Sequence, residues 1–112
     1  MAKFERKTYE KKAVVRDIAS IEGMVDGTIG KINFGEVLAY NTTSKKWVKY
    51  ENATHNTGVF LLGVAKKEIE EVTEDITISV LTQGELNRED IAAAKDDEIL
   101  WSLLAKQGIY LL

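Results

Sequence analysis

Residues 36–50 read EVLAY, NTTSK, KWVKY: two short apolar runs around a cluster of turn formers. Val37, Leu38, Trp47 and Val48 suit strands, while Asn41, Thr42, Thr43 and Ser44 suit the link between them. The stretch therefore predicts an antiparallel hairpin with a five-residue connection. This commits the middle of the chain to β structure, and the flanking sequence supplies more strands. Val59–Ala65 (VFLLGVA) is almost continuously apolar, as in a strand buried on both faces, and Gly63 inside it marks a bulge or a close backbone approach. Ile76–Leu81 (ITISVL) alternates, with Ile76, Ile78 and Val80 on one face and Thr77 and Ser79 on the other.

Residues 17–40 carry Gly23, Gly27, Gly30 and Gly35, with a turn signal at Asp26-Gly27, and predict brief strands separated by bends. The charged run 66–75 is read as strand and loop because its flanks are strands. After residues 82–86 (TQGEL) the period changes. Asn87 is placed to cap a short helix over 88–95, and Asp96 to cap a second one. Ile99, Leu100, Leu103 and Leu104 form an apolar stripe at helical spacing. Lys106 lies in the last turn, Gly108 stands where a left-handed C-cap belongs, and Ile109–Leu112 predicts a final strand. The expectation is a mainly β fold with a short helical stretch near the C-terminus.

The 112 residues suggest one domain. A body of about 95 residues buries only roughly 60–68% of its unfolded surface, so its stability margin is small and oligomerisation would widen it. With no cysteine there is no disulfide framework and no thiolate chemistry. No apolar run reaches the roughly 18 residues of a membrane span. The N-terminus has no apolar core of a secretory signal, and Glu5 and Glu10 argue against an organellar transit peptide.

Charge is unevenly spread. Residues 1–16 hold six basic and two acidic side chains, whereas residues 17–112 hold nine and sixteen. An acidic body does not favour a polyanionic partner. A basic head on such a body suggests a segment that attaches elsewhere. The expected organisation is a flexible arm over 1–16 and a single β-rich domain over 17–112.

Catalytic signatures are missing. His55 is the one histidine; it lies in a polar loop without a second ligand at metal spacing, and is expected to be solvated. Residues 27–31 (GTIGK) lack the spacer and the hydroxyl residue of a phosphate loop. The acidic runs EIEEVTED and KDDE read as solvated faces and lack the pattern of a calcium loop. Asn41-Thr42-Thr43 and Asn52-Ala53-Thr54 match a glycosylation triplet but are read as turn residues. Trp47 and Tyr50 have opposite strand parity, which favours separate packing roles over a shared aromatic platform. The reading is a binding or structural module rather than an enzyme, with no cofactor and no metal.

The order of these pieces carries a resemblance. Residues 4–10 (FERKTYE) precede Gly35–Leu38, a hairpin over Thr43–Val48, an apolar strand at Leu62–Ala65, a turn at Gly84–Asn87 and a terminal stretch Leu104–Leu112. Taken together they make the chain similar, over nearly its whole length, to the bacteriophage head decoration protein family of the lambda protein D type. It departs from the family's pattern in FLLGVA and in the charged run KKEIEEVTED, which bears on surface chemistry more than on fold. The resemblance implies a small domain of the β-clip or β-tulip kind that assembles as a homotrimer. It implies a place on the outer surface of the virion, at local threefold positions of the expanded shell, after synthesis in the host cytoplasm. The implied partners are the major capsid protein and further copies of this chain, not nucleic acid or membrane. The arm would add a strand to a capsid-protein sheet, with Phe4, Arg6, Thr8, Tyr9, Val14 and Val15 expected to carry the contact. An alternative is a small β-barrel module for a carbohydrate or host surface, with Trp47, Tyr50 and His55 at its loop.

Overall fold

A computed structural model describes residues 14–55 and 60–112. It is mainly β with one C-terminal helix, in the order β1 (Val14–Val25), β2 (Gly30–Ile32), β3 (Val37–Asn41), β4 (Lys46–Lys49), a single helical turn α1 (Asn52–His55), β5 (Leu62–Ala65), β6 (Ile69–Val72), β7 (Ile76–Leu86), α2 (Glu98–Gln107) and β8 (Ile109–Leu111). The main sheet runs β1-β4-β3-β5-β7-β8. Because β1 also pairs with β7, five strands close into a ring and β8 attaches outside it, parallel to β7. β2 and β6 form a separate antiparallel pair.

The hairpin expected from residues 36–50 forms as β3–β4, with Asn41 opposite Lys46 and Leu38 opposite Lys49. The Asn41 side chain accepts from the backbone N–H groups of Thr43 and Ser44, which tightens the connection. β5 is buried along its whole length. The reason is that β3, β5 and β7 separate two cores. Val37, Ala39, Leu62, Val64 and Leu81 point to one side, where they meet Ile91, Leu100, Leu103, Leu104 and Ile109. Leu38, Ala65, Ile78 and Val80 point into the ring, where they meet Val25, Trp47, Ile32 of β2 and Val72 of β6. A strand covered on both faces has no polar side to show, hence the unbroken apolar runs.

Trp47 is the largest fully buried side chain, 1% exposed. Its slot is made by two glycines. A Cβ on Gly23 would lie 2.6 Å from the indole Nε1, and one on Gly63 would lie 2.4 Å from Val80 Cγ1 and 3.2 Å from the indole Cζ3. Gly23 is therefore not a break. The expected brief strands over 17–25 are replaced by one twelve-residue strand that passes straight through it.

The boundary placed after Arg16 also moves. Val14 pairs with Leu86, Arg16 with Glu85 and Asp17 with Gly84, so residues 14–16 belong to the body's sheet. The turn expected at Gly84–Asn87 is instead strand as far as Leu86, with Gly84 opposite Asp17 on one side and Ile109 on the other.

Between β7 and α2 the single helix expected over 88–95 is two 3₁₀ turns, Arg88–Asp90 and Ala92–Ala94. Ile91 between them has φ −106° and ψ 89°, outside the helical region, and its side chain is fully buried. Burying Ile91 and Ala94 against α2 draws the chain off a helical path. Arg88 ties the segment down, donating from Nε to the Ala94 carbonyl at 3.1 Å and from Nη2 to Glu98 Oε2 at 3.0 Å. Asp97, not Asp96, caps α2, accepting from the Leu100 N–H at 3.0 Å. Leu100, Leu103 and Leu104 face the core, but Ile99 stands in solvent. Gly108 ends the helix in the left-handed region, φ 99°, as its position predicts.

Candidate partner-docking surface

β1 meets β4 only at its C-terminal end. Val25 alone pairs with β4, opposite Trp47, and among the described residues the rest of the strand is laddered only to β7. The register slips three times, between Val14 and Arg16, between Asp17 and Ala19, and between Ala19 and Ser20. The first two slips place an extra residue, Val15 and Ile18, on β1. The third places Thr82 as the extra residue on β7, since Ala19 pairs with Gln83 and Ser20 with Leu81. Bulges bend a strand and re-aim its side chains. Val15, Ile18, Ile21 and Met24 are between 44% and 53% exposed; the register is regular from Ser20 to Val25, so Ile21 shares the face of Val80 and Met24 takes the other.

The opposite side of this strand is fixed to the body. Asp17 pairs with the Lys66 ammonium, which also donates to Ser20 Oγ. Thr82 donates to the Ala19 carbonyl at 3.3 Å. The ribbon thus projects as a defined element.

Of the six residues expected to carry a contact, Phe4, Arg6, Thr8 and Tyr9 lie outside the described residues. Val14 is half-buried against the helix-side core, so its apolar surface is already used within the domain. Val15 is exposed at the first bulge. Ile18, Ile21 and Met24 are exposed as well and were not singled out by the sequence. The signal for them was an unbroken stretch rich in Val and Ile from 14 to 25, obscured by Gly23.

A second exposed apolar region lies at the C-terminal end. Ile99 is exposed on α2, Tyr110 on the outer side of β8, and Leu112 beyond it. Trp101 is partly covered: its Nε1 donates to the Leu111 carbonyl at 3.2 Å, and the Arg88 guanidinium sits 5.5 Å from the ring centre. That indole contact occupies one edge carbonyl of β8 and so blunts that edge against strand pairing.

The aromatic loop of the alternative reading is not assembled. Trp47 is inside the ring, Tyr50 packs against the helix-side core, and His55, expected in solvent, is only 6% exposed. His55 lies 4.8 Å from the Phe60 ring centre, edge-on, and 5.9 Å from that of Tyr50. The mistaken expectation came from its polar sequence neighbours, which say nothing of the two rings that close over it. Burial, with Asp97 nearby, pushes the Tyr50 hydroxyl above the ordinary tyrosine range. An open cavity of about 440 Å³ lies beside His55, between residues 26–29, β4 and α1. Its polar groups are Asp26, Thr28, Asn41, Lys49, Glu51 and Thr54, with Ile29 and Val48 as apolar wall.

At the closed pole of the ring a polar clamp joins three loops. Asp75 accepts from the Gly27 N–H at 2.7 Å and pairs with Lys46 at 2.7 Å, while Asp26 accepts from the N–H and hydroxyl of Thr28. The Lys46 contact and the Gly27 bond hold Asp75 below the usual carboxylate range, and Asp75 in turn raises Lys46. The Thr28 bonds lower Asp26. Among the described residues no three His, Asp or Glu side chains converge to hold a metal ion, and no helix is long and apolar enough to cross a membrane. No family model matches the chain, and no curated protein matches it either.

Proposed function

We propose that this protein is a phage head decoration protein, a cement that binds as a homotrimer to the outside of an expanded icosahedral shell. The N-terminal segment lays a strand against a sheet of the major capsid protein. The reading rests on the ordered sequence resemblance from residue 4 to residue 112. The observation that supports it best is that this segment leads directly into β1, whose N-terminal part carries the exposed apolar side chains Val15, Ile18 and Ile21. A docking strand that enters a projecting apolar ribbon is a surface suited to a partner protein.

The energetics favour several copies acting together. Ordering about ten residues costs roughly 10–20 kcal/mol of backbone entropy. Each net hydrogen bond returns roughly 0.5–1.5 kcal/mol, and each buried apolar side chain such as Phe4 roughly 1.5–3. These terms nearly cancel for one arm. Three linked arms gain a further factor of about 10² to 10⁴.

The test is electron microscopy of the protein added to undecorated expanded heads of its own phage. The full chain is expected to appear at the local threefold positions, and a chain lacking residues 2–13 to be absent or sparse. Undiminished binding of the truncated chain would refute the arm's role, and failure of the full chain to bind would refute the reading itself.

A further inference from the structure

Asp26-Gly27 is the one Asp-Gly pair in the chain. In such a pair the glycine nitrogen, unhindered by a side chain, can attack the aspartate Cγ. A C–N bond forms, a carboxyl oxygen leaves as water together with the amide proton, and a succinimide ring closes. Water then reopens the ring by breaking one of its C–N bonds. Opening at the backbone carbonyl leaves an isoaspartate, whose chain runs through the former side chain.

The fold imposes this labile pair. A Cβ on Gly27 would lie 2.7 Å from the Glu74 carbonyl carbon and 2.9 Å from the Asp75 nitrogen, backbone atoms that cannot swing aside. Asp26 holds the β1–β2 connection through every polar group it has. Its N–H donates to the Trp47 carbonyl at 3.0 Å, and its carbonyl accepts from the Ile29 N–H at 3.1 Å. Its carboxylate accepts from the Thr28 N–H at 2.9 Å and the Thr28 hydroxyl at 2.8 Å.

We propose that Asp26-Gly27 is a latent isoaspartate site and that Asp75 keeps it closed. Asp75 Oδ1 accepts from the Gly27 N–H at 2.7 Å, and Lys46 fixes Oδ2 at 2.7 Å. Ring closure needs the Gly27 nitrogen to turn onto Asp26 Cγ and give up its proton. It must first break a charge-assisted bond, in a peptide wedged against residues 74–75. The Asp26 carboxylate must also leave Thr28, whose bonds hold it below its usual range and so keep it ionised, a poor electrophile. An isoaspartate lengthens the backbone by one atom and takes the Gly27 N–H out of register with Asp75, so the clamp does not re-form once the change is made.

The experiment incubates the full chain at pH 7.4 and 37 °C beside a synthetic peptide of residues 22–31. Isoaspartate at position 26 is followed by fragmentation mass spectrometry, and circular dichroism verifies that each protein stays folded. The full chain should isomerise more slowly than the peptide by a factor of about ten to a hundred, the worth of one hydrogen bond to a charged acceptor. Asp75→Ala should recover most of the peptide rate. Asp75→Asn, whose amide oxygen still accepts, should stay close to the wild type. Leu104→Ala weakens the helix-side core without touching the clamp and should also stay close to the wild type. A full chain as fast as the peptide would overturn the proposal. So would an Asp75→Ala rate that is unchanged or slower, an Asp75→Asn rate equal to that of Asp75→Ala, or a Leu104→Ala rate equal to it.

Discussion

The two halves of β1 make the sharpest contrast in the molecule. From Gly23 to Val25 the strand helps close a ring, lies against the Trp47 indole and buries its inward side chains. From Val14 to Glu22 it is held along one edge and shows Val15, Ile18 and Ile21 to solvent. Both halves are strand and both are apolar in part, so secondary structure and composition do not distinguish them. What differs is whether a neighbouring element covers the side chains. One half is spent on the fold, and the other leaves about half of the apolar area of Val15, Ile18 and Ile21 uncovered.

Removing the indole is the strongest way to break this contrast. Trp47→Ala empties the slot between Gly23 and Gly63 and is expected to cost about 3–5 kcal/mol. Urea denaturation followed by far-UV circular dichroism would measure it. A cost near that of a surface substitution would mean that the ring's core is not organised around this side chain.

Overfilling the same slot should do less. Gly23→Ala sets a methyl 2.6 Å from the indole Nε1 and 3.0 Å from Val80 Cγ2, so two buried side chains must shift to admit it. The expected loss is about 1–3 kcal/mol, read as a lower denaturation midpoint with an unchanged slope. A neutral result would show that Gly23 is kept for another reason.

The sequence exposed the parts of this architecture whose causes are local. Asn41 and its neighbours define the β3–β4 turn, and Gly108 ends α2 through its own positive φ. The run at Leu62–Ala65 shows two-sided burial because every residue in it is small or apolar. Where the cause lies elsewhere in the chain, local reading failed. Gly23 looks like a break until Trp47 arrives from β4 to occupy its Cβ position. Gly84 looks like a turn until the Arg16 carbonyl is seen 2.5 Å from where its Cβ would stand. The candidate surface divides the same way. Val15 was legible as an apolar residue in a charged head. Ile18 and Ile21 depend on bulges that no residue type signals, and those bulges decide which face they take.

A milder probe acts on the closed pole alone. Asp75 and Asp26 are held below their ordinary range and Lys46 above its own, so the clamp among them is complete at neutral pH. A carboxylate with a lowered folded value gives stability that is present above its unfolded value, near 4, and is lost as pH falls through the folded value. The raised Lys46 gives stability that is present below about 10.4 and is lost as pH rises beyond. Stability should therefore decline below about pH 4, and Asp75→Asn should flatten that acid limb. All three groups are solvent-exposed, which keeps the change modest. Thermal melts of both proteins from pH 3 to pH 7 would check it. An unchanged acid limb in Asp75→Asn would assign the decline to other carboxylates.

The smallest expected effect on stability belongs to the outer half of β1, and it separates the two halves most cleanly. Ile18→Ser and Ile21→Ser change side chains that are 53% and 44% exposed, so each should change folding stability by no more than about 1 kcal/mol. If these side chains meet a partner, the same substitutions should lower occupancy on expanded shells, because each takes away up to roughly 1–1.5 kcal/mol of burial that occurs only on docking. Stability and occupancy must be measured on the same preparations. A variant that melts normally and binds poorly places its exposed side chain in the contact. One that binds normally leaves docking to the N-terminal segment alone, and one that melts early means that the outer ribbon is packed more closely than its exposure indicates.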